Sequence, residues 1–156
     1  MEVLPIIFNL LMIGAMFASL LFFLYMLYLA NRKGYEARQR LKYDDFLKRY
    51  EGKNFFCYNN RRKSLSFIRE EILPQLGEDV HVLYLEGKEI RSEDIDHFFI
   101  YRSFYSFRHY SRFPHLLKIR NGKAEDLSVN QELFQCLDQG KDLSVIFNKM
   151  HTFFKA

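Results

Sequence analysis

The stretch from Phe113 to Lys123 reads Phe-Pro-His-Leu-Leu-Lys-Ile-Arg-Asn-Gly-Lys and decides how the second half of the chain is organised. Residues 115–120 alternate loosely between apolar and polar side chains, which is typical of a strand. Asn121 and Gly122 follow, and an Asn-Gly pair is the strongest short-range signal for a β-hairpin. We therefore expect residues 123–129 to return as the partner strand.

Before this hairpin, the pattern predicts a strand, a helix and a second strand. Residues 54–58 are mostly aromatic, as in a short buried strand, and residues 80–85 are rich in β-branched and apolar side chains. Ser64 is positioned to cap a helix between them. The apolar residues of that helix recur at helical spacing at Leu65, Ile68, Ile72 and Leu76. A β-α-β unit of this kind favours parallel strands with the helix packed on the sheet.

After the hairpin, the pattern predicts a short helix over residues 132–137 that ends near Gly140, and then a final helix. The apolar stripe of the final helix is formed by Leu143, Ile146, Phe147, Met150 and Phe154. The predicted fold class is therefore α/β, with a mixed four-stranded sheet flanked by helices.

The N-terminal run from Val3 to Ala30 contains no Asp, Glu, Lys or Arg. A helix needs about 20 mostly apolar residues to cross the hydrocarbon core of a bilayer. The alternatives are a cleaved signal peptide and a buried core helix. A signal peptide carries basic residues before a shorter apolar stretch, whereas only Glu2 stands before this one. We expect residues 1–30 to be a retained transmembrane anchor.

The segment after the anchor, residues 31–52, is basic and is expected to form a juxtamembrane helix or linker. Because Lys and Arg beside a span stay on the cytoplasmic side, the N-terminus should lie outside and the domain of residues 53–156 in the cytoplasm. Basic side chains near a bilayer also bind anionic headgroups. That accounts for the net charge of +4 without nucleic acid, for which the chain has no recognisable motif.

The two cysteines, Cys57 and Cys136, form no CxxC motif, and the histidines show no metal-binding spacing. In a reducing cytosol both should be free thiols, buried as small apolar side chains. A reactive thiol at Cys57 is the alternative. We expect no metal and no cofactor.

Aromatic and arginine side chains are interleaved over residues 98–113. Such a segment can stack bases, grip a peptide or pack a helix on the sheet. We expect the packing role, with the arginines solvated or bound to lipid.

The order of strand, loop, helix, strand, helical connection and proline-initiated hairpin resembles the thioredoxin fold. The closest local match is residues 112–123, which resemble the segment around the cis-proline of thioredoxins. The resemblance implies that Pro114 is cis, that it faces the loop between the first strand and the first helix, and that it holds an extended ligand backbone nearby.

In thioredoxins that loop carries two cysteines, whereas residues 60–64 here read Asn-Arg-Arg-Lys-Ser. Without a thiolate there, disulfide exchange cannot operate by the usual route, so the oxidoreductase activity is not carried over. Basic side chains before a helix N-terminus favour a carboxylate or a phosphate. The candidate binding residues are therefore Arg61, Arg62, Lys63, Ser64 and Pro114, and a solvated basic turn is the alternative.

The leading hypothesis is a single-pass membrane protein whose cytoplasmic, redox-inactive thioredoxin-like domain binds or scaffolds a protein partner. One alternative is an enzyme, either thiol-dependent through Cys57 or anion-binding through residues 61–64. Another is a structural subunit of a membrane complex that uses residues 98–113 as its interface.

Overall fold

The protein has an α/β architecture in the computed structural model, which describes residues 3–87, 89–91, 100, 102–104 and 112–155. A long helix, α1 (Val3–Arg49), is followed by a mixed sheet flanked by helices. The chain divides into two compact units, Met1–Tyr43 and Asp44–Ala156. The boundaries expected after residues 30 and 52 stay predictions.

The first unit consists of the apolar and basic part of α1. Its apolar side chains are exposed, as at Phe17 with 63% and Met16 with 69% of the residue surface accessible. The Ser19 hydroxyl donates to the Met16 carbonyl at 2.8 Å, which satisfies a polar group inside the apolar stretch. Among the described residues, α1 is the one helix long and apolar enough to cross a membrane. The exposure of its apolar side chains argues against a buried core helix.

The second unit is built on a sheet with the strand order β3-β2-β1-β4-β5. The strands are β1 (Asn54–Asn59), β2 (Val80–Glu86), β3 (Glu89–Arg91), β4 (His115–Arg120) and β5 (Lys123–Ser128). β1 and β2 pair in parallel, as expected for the β-α-β unit. The other three pairs are antiparallel, so the sheet is mixed.

The sheet has five strands in the described part of the chain, so the predicted number of four was wrong. The additional strand, β3, follows a turn at Gly87, whose φ of 63° is a left-handed conformation that glycine adopts at no steric cost. β3 has only three residues and buries only Ile90. A strand this short has too few positions for an alternating pattern to stand out in the sequence.

The predicted single helix after β1 is divided into three parts. An α-helix, α2 (Arg62–Phe67), continues as a π-helix (Ile68–Ile72) and then as a 3₁₀ turn (Leu73–Gln75). The Leu73 N–H donates to the Ile68 carbonyl, five residues back, which is π-helical spacing. Pro74 follows directly, and a proline both lacks an N–H and crowds the carbonyl four residues before it. Pro74 lies within the 3₁₀ turn, so the chain does not return to a regular α-helix after the π-helix.

Two helices follow the hairpin, as predicted: α3 (Asn130–Gln139) and α4 (Ser144–Lys155). α3 ends at Gly140, which has a left-handed φ of 63°. The π-helix, α3 and α4 cover one face of the sheet. The buried core on that face consists of Phe56, Tyr58, Ile68, Ile72, Leu116, Val129, Leu133, Cys136, Ile146 and Met150.

The opposite face of the sheet carries Phe55 and Cys57, because successive side chains of a strand point to opposite faces. Phe46, near the end of α1, is buried, and its ring lies 4.8 Å from that of Tyr50. The Tyr50 ring in turn lies 6.3 Å from Phe55. The last turns of α1 therefore belong to the core of the second unit.

The hairpin between β4 and β5 turns at Asn121 and Gly122, whose φ angles of 52° and 66° confirm the predicted Asn-Gly turn. The two carboxylate oxygens of Glu51 accept the backbone N–H groups of these residues, at 2.6 Å and 3.1 Å. One side chain after α1 thus holds the tip of the hairpin.

Most of the predicted helical connection before the hairpin, including most of the aromatic segment of residues 98–113, lies outside the described residues. Of that segment, Phe104 and Phe113 are buried, and their rings meet edge to face at 6.2 Å. These two aromatic side chains therefore pack inside the domain, in agreement with the predicted packing role of this segment.

Candidate functional site

The connection between β1 and α2 contains the predicted basic corner. Arg61 is the N-terminal cap residue of α2, and its backbone is extended, with a ψ of 111°. Its carbonyl accepts the N–H groups of Ser64 and Leu65, both at 3.1 Å. Ser64 is buried within the helix, and its hydroxyl donates to the same carbonyl at 3.3 Å. The prediction that Ser64 caps the helix was therefore wrong, because the helix begins two residues earlier.

Two side chains of the corner, those of Arg61 and Lys63, contact residues of α3. The Arg61 guanidinium and the Lys63 ammonium lie 5.0 Å and 5.3 Å from the centre of the Phe134 ring, within the range of cation–π attraction. Lys63 also forms an ion pair with Asp138 at 2.8 Å. Arg62 is exposed. Two of the three basic side chains therefore already have intramolecular contacts.

Pro114 lies at the same end of the sheet, and its peptide bond with Phe113 is cis, as the resemblance implied. Cys57 pairs with His115 in the register of β1 and β4. One further step along both strands places Pro114 beside Tyr58, three residues before Arg61. The predicted site residues therefore share one end of the sheet.

The backbone carbonyls around Pro114 are engaged within the domain. The Arg112 carbonyl accepts the Ser128 hydroxyl at 2.6 Å, and the Pro114 carbonyl accepts the Val129 N–H at 3.0 Å. The Phe113 carbonyl accepts the side-chain amide of Asn130. An extended ligand that paired with these carbonyls would have to displace the end of β5 and the start of α3.

Cys57 lies inside β1 with no solvent exposure. Burial raises the pKa of its thiol well above the ordinary value, and the Asp126 carboxylate raises the pKa further. A thiol must ionise and be reached by its substrate in order to react. The reactive-thiol alternative at Cys57 therefore has no support in this geometry.

Sequence reasoning missed the groups beside Cys57. His115 faces it across the strand pair and is fully buried, and its Nδ1 lies 3.2 Å from an oxygen of Asp126. Cys57 is far from His115 and Asp126 in the chain, and the three residues form no motif. Only the register of β1, β4 and β5 brings them together.

A cleft with a volume of about 580 Å³ runs along α3. We call it the α3 cleft. It is lined by Arg112, Gln131, Phe134, Gln135, Asp138 and Lys149, among others. Because Phe134 also contacts Arg61 and Lys63, the cleft adjoins the basic corner. The one sequence signal for it was the polar outer face of a short helix, which is a common pattern.

Comparison of the chain with protein-family models, with curated proteins and with solved structures found no match. The function is therefore inferred from the geometry described above.

Proposed function

We propose that the protein is a single-pass membrane protein whose thioredoxin-like domain binds or scaffolds a protein partner and has no redox activity. Three features support the thioredoxin-like assignment. They are the parallel β1–β2 unit, the antiparallel β4–β5 hairpin in the same sheet, and the cis peptide bond that precedes β4.

The single observation that supports the redox-inactive assignment is that no exposed cysteine lies at the corner between β1 and α2. The corner between β1 and α2, where a thioredoxin-like enzyme holds its cysteines, has Arg61, Arg62, Lys63 and Ser64. The nearest thiol, Cys57, is buried in the strand with a raised pKa. Disulfide exchange requires an exposed thiolate as nucleophile, and this end of the domain offers none.

An insulin reduction assay tests this assignment. The full chain in mild detergent, supplied with a reductant, should reduce insulin no faster than the reductant alone. A Cys57→Ser variant is the matched control and should behave identically. A rate above background that Cys57→Ser abolishes would refute the redox-inactive assignment.

The binding role is tested by retention of a partner from solubilised membranes. The full chain should retain a defined protein that is lost when the chain is truncated after Tyr43, since this truncation keeps the apolar helix and removes the sheet. Equal retention by both forms would place binding in the helix and would argue against a binding domain.

The proposed orientation rests on the basic residues that follow the apolar run. They include Lys33, Arg38, Arg40 and Lys42. A C-terminal reporter that is active only in the cytoplasm should be active in the unaltered chain. Replacing these four residues with glutamine should reduce the cytoplasmic signal. A reporter found outside in the unaltered chain would contradict the proposed orientation.

A further inference from the structure

We propose that the α3 cleft binds an acidic, extended segment of the protein partner, with Arg61 and Arg112 as the charged contacts. This inference rests on the proposed binding function and deepens it, because it names the site and the chemistry of the partner.

The charges around the α3 cleft favour an anion. Two lysines near it are neutralised within the domain. Lys149, which lines the cleft, pairs with Glu132 at 2.7 Å, and Lys63 pairs with the lining residue Asp138 at 2.8 Å. Arg112 lines the cleft and is exposed. Arg61 lies over the Phe134 ring at the edge of the cleft.

Within the described part of the chain, Arg61 and Arg112 form no ion pair with a carboxylate. A guanidinium presents several N–H donors in a planar fork that matches the two oxygens of a carboxylate. Two such groups at one cleft therefore leave uncompensated positive charge for an acidic ligand.

The amide side chains of the α3 cleft favour an extended peptide over a small anion. Gln131, Gln135 and Gln139 all line it and are four residues apart along α3. At about 1.5 Å per residue, their attachment points repeat about every 6 Å along the helix. Same-facing groups of an extended chain repeat about every 6.6 Å. Each amide both donates and accepts, as the peptide group itself does.

The Phe134 ring supplies the apolar part of the cleft. It is half-buried, and the two cations that lie near it, Arg61 and Lys63, help to hold its position. An anionic lipid headgroup binds through cations and does not require a row of amide side chains beside an aromatic ring. This combination favours a peptide rather than a membrane surface.

The test measures the binding of a fluorescein-labelled eight-residue peptide with glutamate at every second position. The full chain is held in phosphatidylcholine nanodiscs, and binding is followed by fluorescence anisotropy. We expect saturable binding, and we expect the same peptide with glutamine in place of glutamate to bind at least about tenfold more weakly, because the charge-assisted hydrogen bonds are lost.

Variants assign the contacts. Arg61→Gln and Arg112→Gln should each weaken binding of the glutamate peptide about tenfold. Arg69→Gln is the matched control, because Arg69 is also exposed and also lies over an aromatic ring, that of Tyr84, 5.3 Å away. It should bind the peptide as the unaltered chain does. Gln131→Ala should weaken binding several-fold, because the amide side chain no longer forms hydrogen bonds with the backbone of the peptide.

Several results would overturn the proposal. They are no peptide binding at millimolar concentration, unchanged binding by both Arg61→Gln and Arg112→Gln, or unchanged binding by Gln131→Ala. Recruitment of phosphatidylserine vesicles that depends on Arg61 and Arg112, without peptide binding, would assign the cleft to lipid instead. If the chain still retained a partner from membranes in any of these cases, the binding function would stand and only the assignment of the α3 cleft as its site would be refuted. Insulin reduction would refute only the redox-inactive assignment.

Discussion

Cys57 and His115 lie directly opposite each other on the antiparallel strands β1 and β4, and neither is exposed to solvent. Directly opposite residues project from the same face of a sheet. With Asp126 3.2 Å from the His115 ring, a thiol, an imidazole and a carboxylate are gathered as in cysteine nucleophile sites. Because the thiol and the imidazole are buried, a substrate cannot reach them, and the cluster is part of the core.

The burial of Cys57 predicts slow thiol labelling. In a Cys136→Ser background, a thiol-reactive dye should modify Cys57 roughly 100-fold more slowly than it modifies the unfolded chain, because the domain must open first. The raised pKa of the thiol adds to this protection, since little thiolate forms at neutral pH. The rate is followed by dye absorbance in native buffer and in denaturant. Equal rates in the two conditions would contradict the structure.

The contact between His115 and Asp126 predicts a loss of stability when the carboxylate is removed. Asp126→Ala should lower the free energy of unfolding by about 1–3 kcal/mol, because a buried ring nitrogen loses a polar neighbour. The measurement is denaturant unfolding followed by near-ultraviolet circular dichroism. Asp138→Ala is the control, since it breaks only the exposed pair with Lys63 and should cost less than about 1 kcal/mol. An equal loss in both variants would be inconsistent with a stabilising contact between Asp126 and the buried His115 ring.

The packing of the end of α1 predicts that this helix contributes to the stability of the sheet domain. Phe46 is buried, whereas Leu41, on the same helix, has 65% of its surface exposed. Phe46→Ala should lower the free energy of unfolding by about 3–5 kcal/mol. Leu41→Ala should change it by less than about 0.5 kcal/mol. If the two variants unfolded at the same denaturant concentration, the burial of Phe46 in the core of the sheet domain would be contradicted.

The start of α4 predicts a pH dependence of stability. Hydrogen bonds from the Ser144 hydroxyl and backbone N–H lower the pKa of Asp142, with the N–H at 2.7 Å from the carboxylate. A lowered folded-state pKa gives stability that is present above the unfolded-state value, about 3.9, and is lost as the pH falls through the folded-state value.

The matched variant is Asp142→Asn, which keeps an oxygen acceptor and removes the charge. Its thermal midpoint should lie below that of the unaltered chain at pH 7, and the difference should shrink as the pH is lowered below about 4. Asp142→Ala removes the acceptor as well and should remain less stable at every pH. A difference that grew at low pH would contradict the direction of the shift.

The order of the elements followed from local patterns. The apolar run of α1, the short aromatic and apolar runs of β1 and β2, and the Asn121–Gly122 turn each depend on neighbouring residues, so the sequence sufficed to predict them. The end of α3 at Gly140 was predictable for the same reason, since a glycine readily takes the left-handed φ of 63° found there. The cis bond at Pro114 came from the resemblance and not from any pattern.

The cluster around Cys57 and the α3 cleft depended on residues that are distant in the chain. Strand register alone brings Cys57, His115 and Asp126 together, and the packing of α2 against α3 alone places Arg61 over Phe134. No periodic pattern in the sequence predicts such pairings, because the residues next to each of these side chains in the chain do not indicate its distant partner. The sequence by itself therefore determined most of the elements and their order. The tertiary structure alone decided which side chains meet, since long-range packing sets those contacts.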